Sequence, residues 1–316
     1  MRTVFVILIL SVGLVVWGNA KPADIIVPVD DGRSDTLTEG LELPLPSVPS
    51  DLRSVPERAA YVLAHFWDGM DFRDTLRSRN KVFVEQNFVN FVSLFPHASG
   101  EVRTEAVKRL MQAAERDIPA YTLLAEMAGK YLYDMASPMW CEEYYILFLE
   151  EFVATSVWDE LEKVRYRHLL EAARKNRPGM PAADFTYLTR DGKQQTLRHT
   201  PGNNLLLIFY DPVCEHCREV MAQLQSDVLV RQQIQDKRLT ILAVCVDTGR
   251  EVWDLTKTSL PTEWVIGFET GHLQEQELYV LPELPTIYLL DADRNVVLKE
   301  ILPQNLLQVL MMWFHE

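Results

Sequence analysis

The sequence predicts two folded regions, an all-helical domain followed by an α/β domain with a mixed sheet. Three observations predict this. Residues 51 to 176 carry apolar side chains at spacings of three and four and no strand-like alternation. From residue 178 onward short apolar runs alternate with helical patterns. Between the two lies Arg177-Pro178-Gly179-Met180-Pro181, which cannot continue a helix.

The chain has 316 residues, enough for two domains of ordinary size. Its 31 Lys and Arg against 45 Asp and Glu give a net charge of −14. That acidity argues against nucleic acid or an anionic membrane surface as partner.

Residues 1–20 read as a secretory signal peptide: Arg2, an apolar run from Val4 to Val16, then Gly18-Asn19-Ala20 with small residues at the cleavage positions. Cleavage after Ala20 would leave a periplasmic or secreted chain with no membrane span. The alternative is an uncleaved anchor, for which the run is short of the about 20 residues a span needs. Residues 21–50 are proline-rich and acidic and read as a disordered linker.

In the helical domain, 51–176, Ser54 caps a first helix with Pro56 and Glu57 in its first turn. Lys81 to Phe95 is a second, with Phe83, Phe88, Phe91 and Phe95 along one side. Ser99 opens a third, Pro119 a fourth, Glu142 to Ala154 forms a fifth and Val157 to Asn176 a sixth. His65, His97 and His168 are scattered singles without a second ligand at helical spacing. No catalytic constellation is visible there.

In the second domain, 178–316, a hairpin turns at Asp191-Gly192. Leu205 to Phe209 is an unbroken apolar run, a strand buried on both faces. Asp211 and Pro212 break it. Cys214 and Cys217 follow at the start of a helical pattern running through Val220 and Leu224 to Val228. Residues 239–247 form another buried strand, with Glu263 to Phe268, two strands around Asp291 to Asn295, and a closing helix from Asn305 to Phe314.

A Cys-x-x-Cys pair between a buried strand and a helix N-terminus places its first sulfur where backbone N–H groups are unpaired and a thiolate is stabilised. Zinc would need about four ligands in paired sets, and the second pair is missing. A structural disulfide closing so small a loop gains little chain entropy. The pattern therefore points to a redox-active dithiol, with no metal and no cofactor. Glu215 and His216, between the cysteines, are expected to tune it, as is Tyr210 before them. A His216 ring packed on the dithiol would make the pair more oxidising than thioredoxin's about −270 mV. Cys141 and Cys245 read as packing residues, with a bridge between them not demanded by anything in the sequence.

These features resemble the thioredoxin superfamily, most closely the exported thiol-disulfide oxidoreductases of the TlpA and ResA type. The resemblance covers residues 178–316. It rests on Met180-Pro181-Ala182-Ala183-Asp184-Phe185, on Phe209-Tyr210-Asp211-Pro212-Val213-Cys214-Glu215-His216-Cys217, and on Leu284-Pro285-Thr286. It implies that Pro285 is cis and packs against the dithiol, with Thr286 beside it, and that the backbone before Pro285 pairs with substrate. Cys214 would attack, Cys217 would resolve, and the substrates would be protein thiols or disulfides. The helical part resembles a domain of unknown function that precedes thioredoxin domains in exported proteins of Gram-negative gut anaerobes. Four positions depart from the pattern. Val213 stands for the usual Trp and Ala222 for a helix-kinking proline, while Ile208 and Val220 stand where relatives carry a buried acid. Those departures keep a second reading open, a catalytically weak binding or scaffold module docking partners through the helical domain. A peroxidase would need Thr and Arg around its cysteine, a set the sequence does not present.

Overall fold

The computed structural model describes residues 42–271, 273 and 276–315. The proposed signal peptide and most of the linker lie outside these residues. The chain divides into two compact units between Glu171 and Ala172. Among the described residues no helix is long and apolar enough to cross a membrane.

The first unit is helical: α1 (Val55–His65), α2 (Thr75–Ser78), α3 (Lys81–Val92), α4 (Gly100–Ala114), α5 (Ile118–Ala128), α6 (Glu142–Ala154) and α7 (Glu160–Ala173). Its starts are set by side-chain caps. Ser54 and Glu57 make a reciprocal capping box, and Asp74, Asn80 and Ser99 each accept a first-turn N–H. The phenylalanines of α3 face inward. Phe88 packs on Phe148 of α6 at 5.4 Å between centroids, and Phe91 meets Phe95 edge-on at 5.2 Å. The fourth helix, expected over Ala120 to Met135, ends as regular α-helix at Ala128. Gly129–Tyr133 widens into a π turn, with the ring of Tyr133 stacked on Tyr145 at 5.1 Å.

The linker expected to run to residue 50 is anchored before that. Leu43 is buried, and its N–H donates to the Asn87 side chain at 2.7 Å. Asn87 in turn donates to the Phe83 carbonyl at 2.7 Å, so a buried amide is satisfied at both ends. Burying one leucine contributes about 1.5–3 kcal/mol, which a disordered tether would forgo.

The second unit is a seven-stranded sheet of β1 (Thr186–Thr189), β2 (Gln194–Thr196), β3 (Asn204–Tyr210), β4 (Leu239–Cys245), β5 (Val265–Glu269), β6 (Thr286–Leu290) and β7 (Val296–Leu298), in the order β2-β1-β5-β4-β3-β6-β7. β3, β4 and β5 are parallel; β6 pairs antiparallel with β3, and β1 antiparallel with β5. The sheet is mixed, as the alternation of strands and helices predicts. Its helices are α8 (Glu215–Ser226), α9 (Val228–Gln235), α10 (Arg250–Thr256) and α11 (Leu306–His315). Gly192, at φ +81°, makes the predicted hairpin turn. Gly267 lies under the Tyr187 ring, where a Cβ would come within 2.7 Å of it.

Two details differ from the sequence pattern. The helix after the cysteines stops at Ser226. Asp227 is extended and caps the separate α9 through the Val230 N–H, leaving Val228 71% exposed rather than on the buried face. The end of α7 belongs to the sheet unit because the Lys299 ammonium donates to the Ala173 carbonyl at 3.3 Å. The Asn176 side chain likewise bridges the Ala183 N–H and the Leu278 carbonyl.

Candidate active site

β3 is buried along its whole length from Leu205, and it delivers the chain to the site at Tyr210. The turn after it is fixed by Asp211. Its Oδ1 accepts the Val213 N–H at 2.9 Å and the Thr248 hydroxyl, and its carbonyl accepts the Cys214 N–H at 3.1 Å. This makes Cys214 the N-cap of α8. Its Sγ accepts the Cys217 N–H at 3.3 Å, in the place an N-cap oxygen takes in other helices.

The two sulfurs have opposite surroundings. Cys214 is half-buried and Cys217 is 1% exposed, one turn inside the helix. Burial pushes the Cys217 thiol up. The backbone N–H of Asp211 partly offsets this, while the Cys214 sulfur and the Asp211 carboxylate add to it. All four cysteines are free thiols.

The loop before β6 closes over the pair. The Leu284–Pro285 peptide is cis, and the Cys214 thiol donates to the Leu284 carbonyl at 3.8 Å. Thr286 is buried opposite Phe209, with its hydroxyl on the Glu283 carbonyl at 2.5 Å. The structure thus brings Cys214, Cys217, Leu284, Pro285 and Thr286 together from the ends of β3 and β6 and the start of α8.

The other expected tuning residues are placed differently. Tyr210 is buried below the pair, its hydroxyl pushed well above the usual tyrosine range by burial and by the nearby Cys245. Glu215 faces solvent. His216 is not packed on the dithiol: its side chain is 58% exposed, with Nδ1 3.6 Å from a Glu219 carboxylate oxygen. The first turn of a helix points its side chains outward unless a neighbouring element covers them, and here none covers His216. Cys245 is sealed in β4 and pushed up to about 12 by burial. Cys141, the N-cap of α6, is pushed up to about 11, also by burial. Among the described residues no group of three His, Cys, Asp or Glu is placed to hold a metal.

Three residues at the site were not singled out from sequence. Asp211 was read as a strand breaker, though Asp-Pro ahead of a helix cap is also a turn-forming pair. Thr248 comes from the far end of β4, a contact that only the parallel pairing of β3 with β4 creates. Arg218 folds back from α8 to the Val213 and Pro212 carbonyls at 3.3 and 3.5 Å.

A mixed sheet with a cysteine-capped helix after a central strand and a cis-proline loop beside it defines a thioredoxin-like domain. Comparison with known proteins agrees. Residues 178–299 match the AhpC/TSA family, and residues 25–176 match a Domain of unknown function (DUF5106). The crystal structure of a thioredoxin-like protein from Bacteroides caccae ATCC 43185 is 32% identical, covering 85% of this chain and 98% of that one with a TM-score of 0.74. The C-terminal domain of an uncharacterized protein from Bacteroides fragilis is 30% identical, covering 43% of this chain and 98% of that one, TM-score 0.42. The thioredoxin domain of a thiol-disulfide oxidoreductase from Bacteroides vulgatus is 22% identical over 43% of this chain and 97% of that one, TM-score 0.39. No curated protein matches. The chain belongs to the thioredoxin-like proteins, its AhpC/TSA domain preceded by a separate helical domain of unknown function.

Proposed function

We propose that this protein is an exported thiol-disulfide oxidoreductase working through Cys214 and Cys217. The observation that carries the reading is the sulfur of Cys214, half-exposed at a helix cap and aimed at by the Cys217 N–H, with Cys217 buried one turn in. A thiolate at Sγ would be held by that N–H and by the other first-turn amides of α8. It attacks a substrate disulfide, forming a mixed disulfide and releasing one substrate thiolate. Cys217 then displaces the second, leaving Cys214 and Cys217 joined and oxidised. The opposite direction is the same path reversed. Pro285 shapes the groove, and the backbone at Glu283 and Leu284 pairs with an extended substrate as an added strand. Export rests on the sequence of residues 1–20 alone.

Mass spectrometry after exposure to glutathione disulfide tests the roles. Cys217→Ser is expected to accumulate one glutathionyl group on Cys214. Cys214→Ser is expected to carry none, and the wild type to end as the internal disulfide. Glutathionylation of Cys214→Ser to the level of Cys217→Ser would sink the assignment.

The weak-catalyst reading keeps one support, the apolar Ile208 and Val220, which are 0% and 3% exposed and offer Cys217 no acid from those positions.

A further inference from the structure

Beyond the ends of β3 and β4 the two chains part, and a side-chain bond still joins them. The ladder runs one step past the strands, where the Val246 N–H donates to the Tyr210 carbonyl at 3.1 Å. The chain after β3 then enters the turn from Asp211 to Cys214. The chain after β4 passes through Asp247, Thr248 and Gly249 into α10. The Thr248 hydroxyl crosses back and donates to Oδ1 of Asp211, 37 positions earlier.

The two partners are not equally anchored. Thr248 is held on both sides. The ladder holds the chain up to Val246, and α10 holds it beyond, with Trp253 0% exposed and packed on Phe268 of β5 at 5.3 Å between ring centroids. The turn opposite contains Pro212 and Val213, and Val213 is 60% exposed. Within that turn Asp211 accepts the Val213 N–H at 2.9 Å, a local bond that by itself does not tie the turn to the sheet. The hydroxyl of Thr248 supplies that tie. The firmer element therefore positions the looser one.

We propose that Thr248 is a positioning residue for the reactive thiol, holding through Asp211 the turn that puts Cys214 on the cap of α8. This rests on the dithiol reading above. Asp211 touches both cysteines through its main chain. Its carbonyl accepts the Cys214 N–H at 3.1 Å, and its own N–H lies against the Cys217 sulfur. With its N–H held, Cys214 keeps its extended backbone at φ −69° and ψ 122°, and Sγ stays where the Cys217 N–H reaches it at 3.3 Å. A loosened turn lets the sulfur leave the cap, and a thiolate there loses the N–H groups that stabilise it. Arg218 braces the Val213 carbonyl from α8 at 3.3 Å, but α8 is the element being positioned, so that bond does not tie the turn to the sheet.

Two variants of the full chain separate the hydroxyl from the shape of the side chain. Thr248→Val keeps the branched shape and removes the hydroxyl. Thr248→Ser keeps the hydroxyl and removes the methyl group. Hydrogen exchange of the Val213 and Cys214 amides in the reduced protein, read by NMR, reports the turn. Limiting iodoacetamide at neutral pH, with the label mapped to Cys214, reports the thiol, whose sulfur displaces iodide. In Thr248→Val both amides should exchange about fivefold faster and Cys214 should react about fivefold more slowly, a share of the more than tenfold that a hydrogen bond to a charged group is worth. Amides within β3 and β4 should stay within about twofold of wild type, as should both readouts in Thr248→Ser. A role in packing alone predicts the opposite order, with Val tolerated and Ser impaired. Either readout unchanged in Thr248→Val overturns the assignment, and so does a Thr248→Ser protein as impaired as Thr248→Val. A wild-type Val213 amide that exchanges as fast as in an unstructured peptide overturns it too, even where a variant does not fold. Wild-type label falling on a cysteine other than Cys214 overturns the dithiol reading and the role of Thr248 with it. Label on Cys214 at the same rate with and without the hydroxyl overturns the role of Thr248 alone.

Discussion

The carboxyl ends of β3 and β4 lie side by side, Tyr210 paired with Cys245, and each strand end brings a cysteine towards the same corner of the sheet. The two thiols could hardly differ more. Cys245 ends its strand inside the ladder, 0% exposed and pushed up to about 12 by burial. Cys214 stands four residues beyond Tyr210, past the Asp211-Pro212 turn. It is half-buried, with a backbone N–H on its sulfur and a carbonyl within reach of its proton. The difference teaches that the strand does not make the reactive thiol. The turn makes it, by carrying the cysteine out of the ladder and onto the N-cap of a helix. Asp211 holds that turn, and Thr248, three residues beyond Cys245, holds Asp211.

The largest effect that could break this comparison is chemical selectivity. With limiting iodoacetamide at neutral pH, the reduced protein should be labelled on Cys214 at least about a hundredfold faster than on Cys245, because only an accessible thiolate reacts. Cys217 and Cys141, both disfavoured by burial, should lag as well. Peptide mapping after partial reaction reads the ratio. Comparable labelling of Cys245 would mean that the end of β4 opens as readily as the turn after β3.

A smaller effect sharpens the other side of the comparison. Cys245 keeps its proton to about 12 in the fold, against about 8.5 in an unfolded chain. Below the lower value both states hold the proton, and this thiol makes stability no function of pH. Between the two values the unfolded chain releases the proton and the fold does not. Stability therefore falls as pH rises, by at most about 1.4 kcal/mol per unit from this group. Urea midpoints at neutral pH and near pH 10 should converge in Cys245→Ala relative to wild type, after allowing for the small cavity it leaves. Equal alkaline losses in the two proteins would show that Cys245 is not sealed.

Much of this was legible in the sequence, for reasons that can be named. Ser54 with Glu57 and, separately, Ser99 announce helix starts because capping is local chemistry between residues three apart. Leu205 to Phe209 announces a central strand because only a doubly buried strand tolerates an unbroken apolar run. Cys214 and Cys217 were legible because each takes its place from its immediate neighbours, and Pro285 only through the family resemblance, since the pairing of β6 with β3 carries it to the site. What escaped depends on residues distant in sequence. Thr248 reaches Asp211 only after β3 and β4 pair, and Leu43 is buried only after Asn87 offers it a hydrogen bond across 44 positions. The overrun to Val228 has a different cause. Val220, Leu224 and Val228 keep perfect helical spacing, and the weaker signal in Ser226-Asp227, an extended cap that restarts the helix as α9, overrides it.

The smallest expected effect concerns His216, where the placement of one ring changes the expectation. A packed, partly protonated imidazole beside Cys214 would favour its thiolate, stabilise the reduced form and make the disulfide a better oxidant. The ring is instead 58% exposed, and its Nδ1 lies 3.6 Å from Glu219, one turn further along α8. Any charge it carries is shared with that carboxylate and screened by solvent, and Glu215 is as open to water. Exposed charge interactions of this kind are worth about 0–1 kcal/mol. For a two-electron couple about 30 mV corresponds to about 1.4 kcal/mol, so the ring can move the potential by no more than roughly 20 mV. His216→Ala, equilibrated against glutathione buffers, should shift the midpoint by no more than that, and the shift should shrink further at high salt. A change well beyond about 30 mV that persists in salt would put the imidazole back against the dithiol. The control of reactivity would then lie partly in the residues between the cysteines. If the shift stays small, control rests with the turn that Asp211 and Thr248 hold.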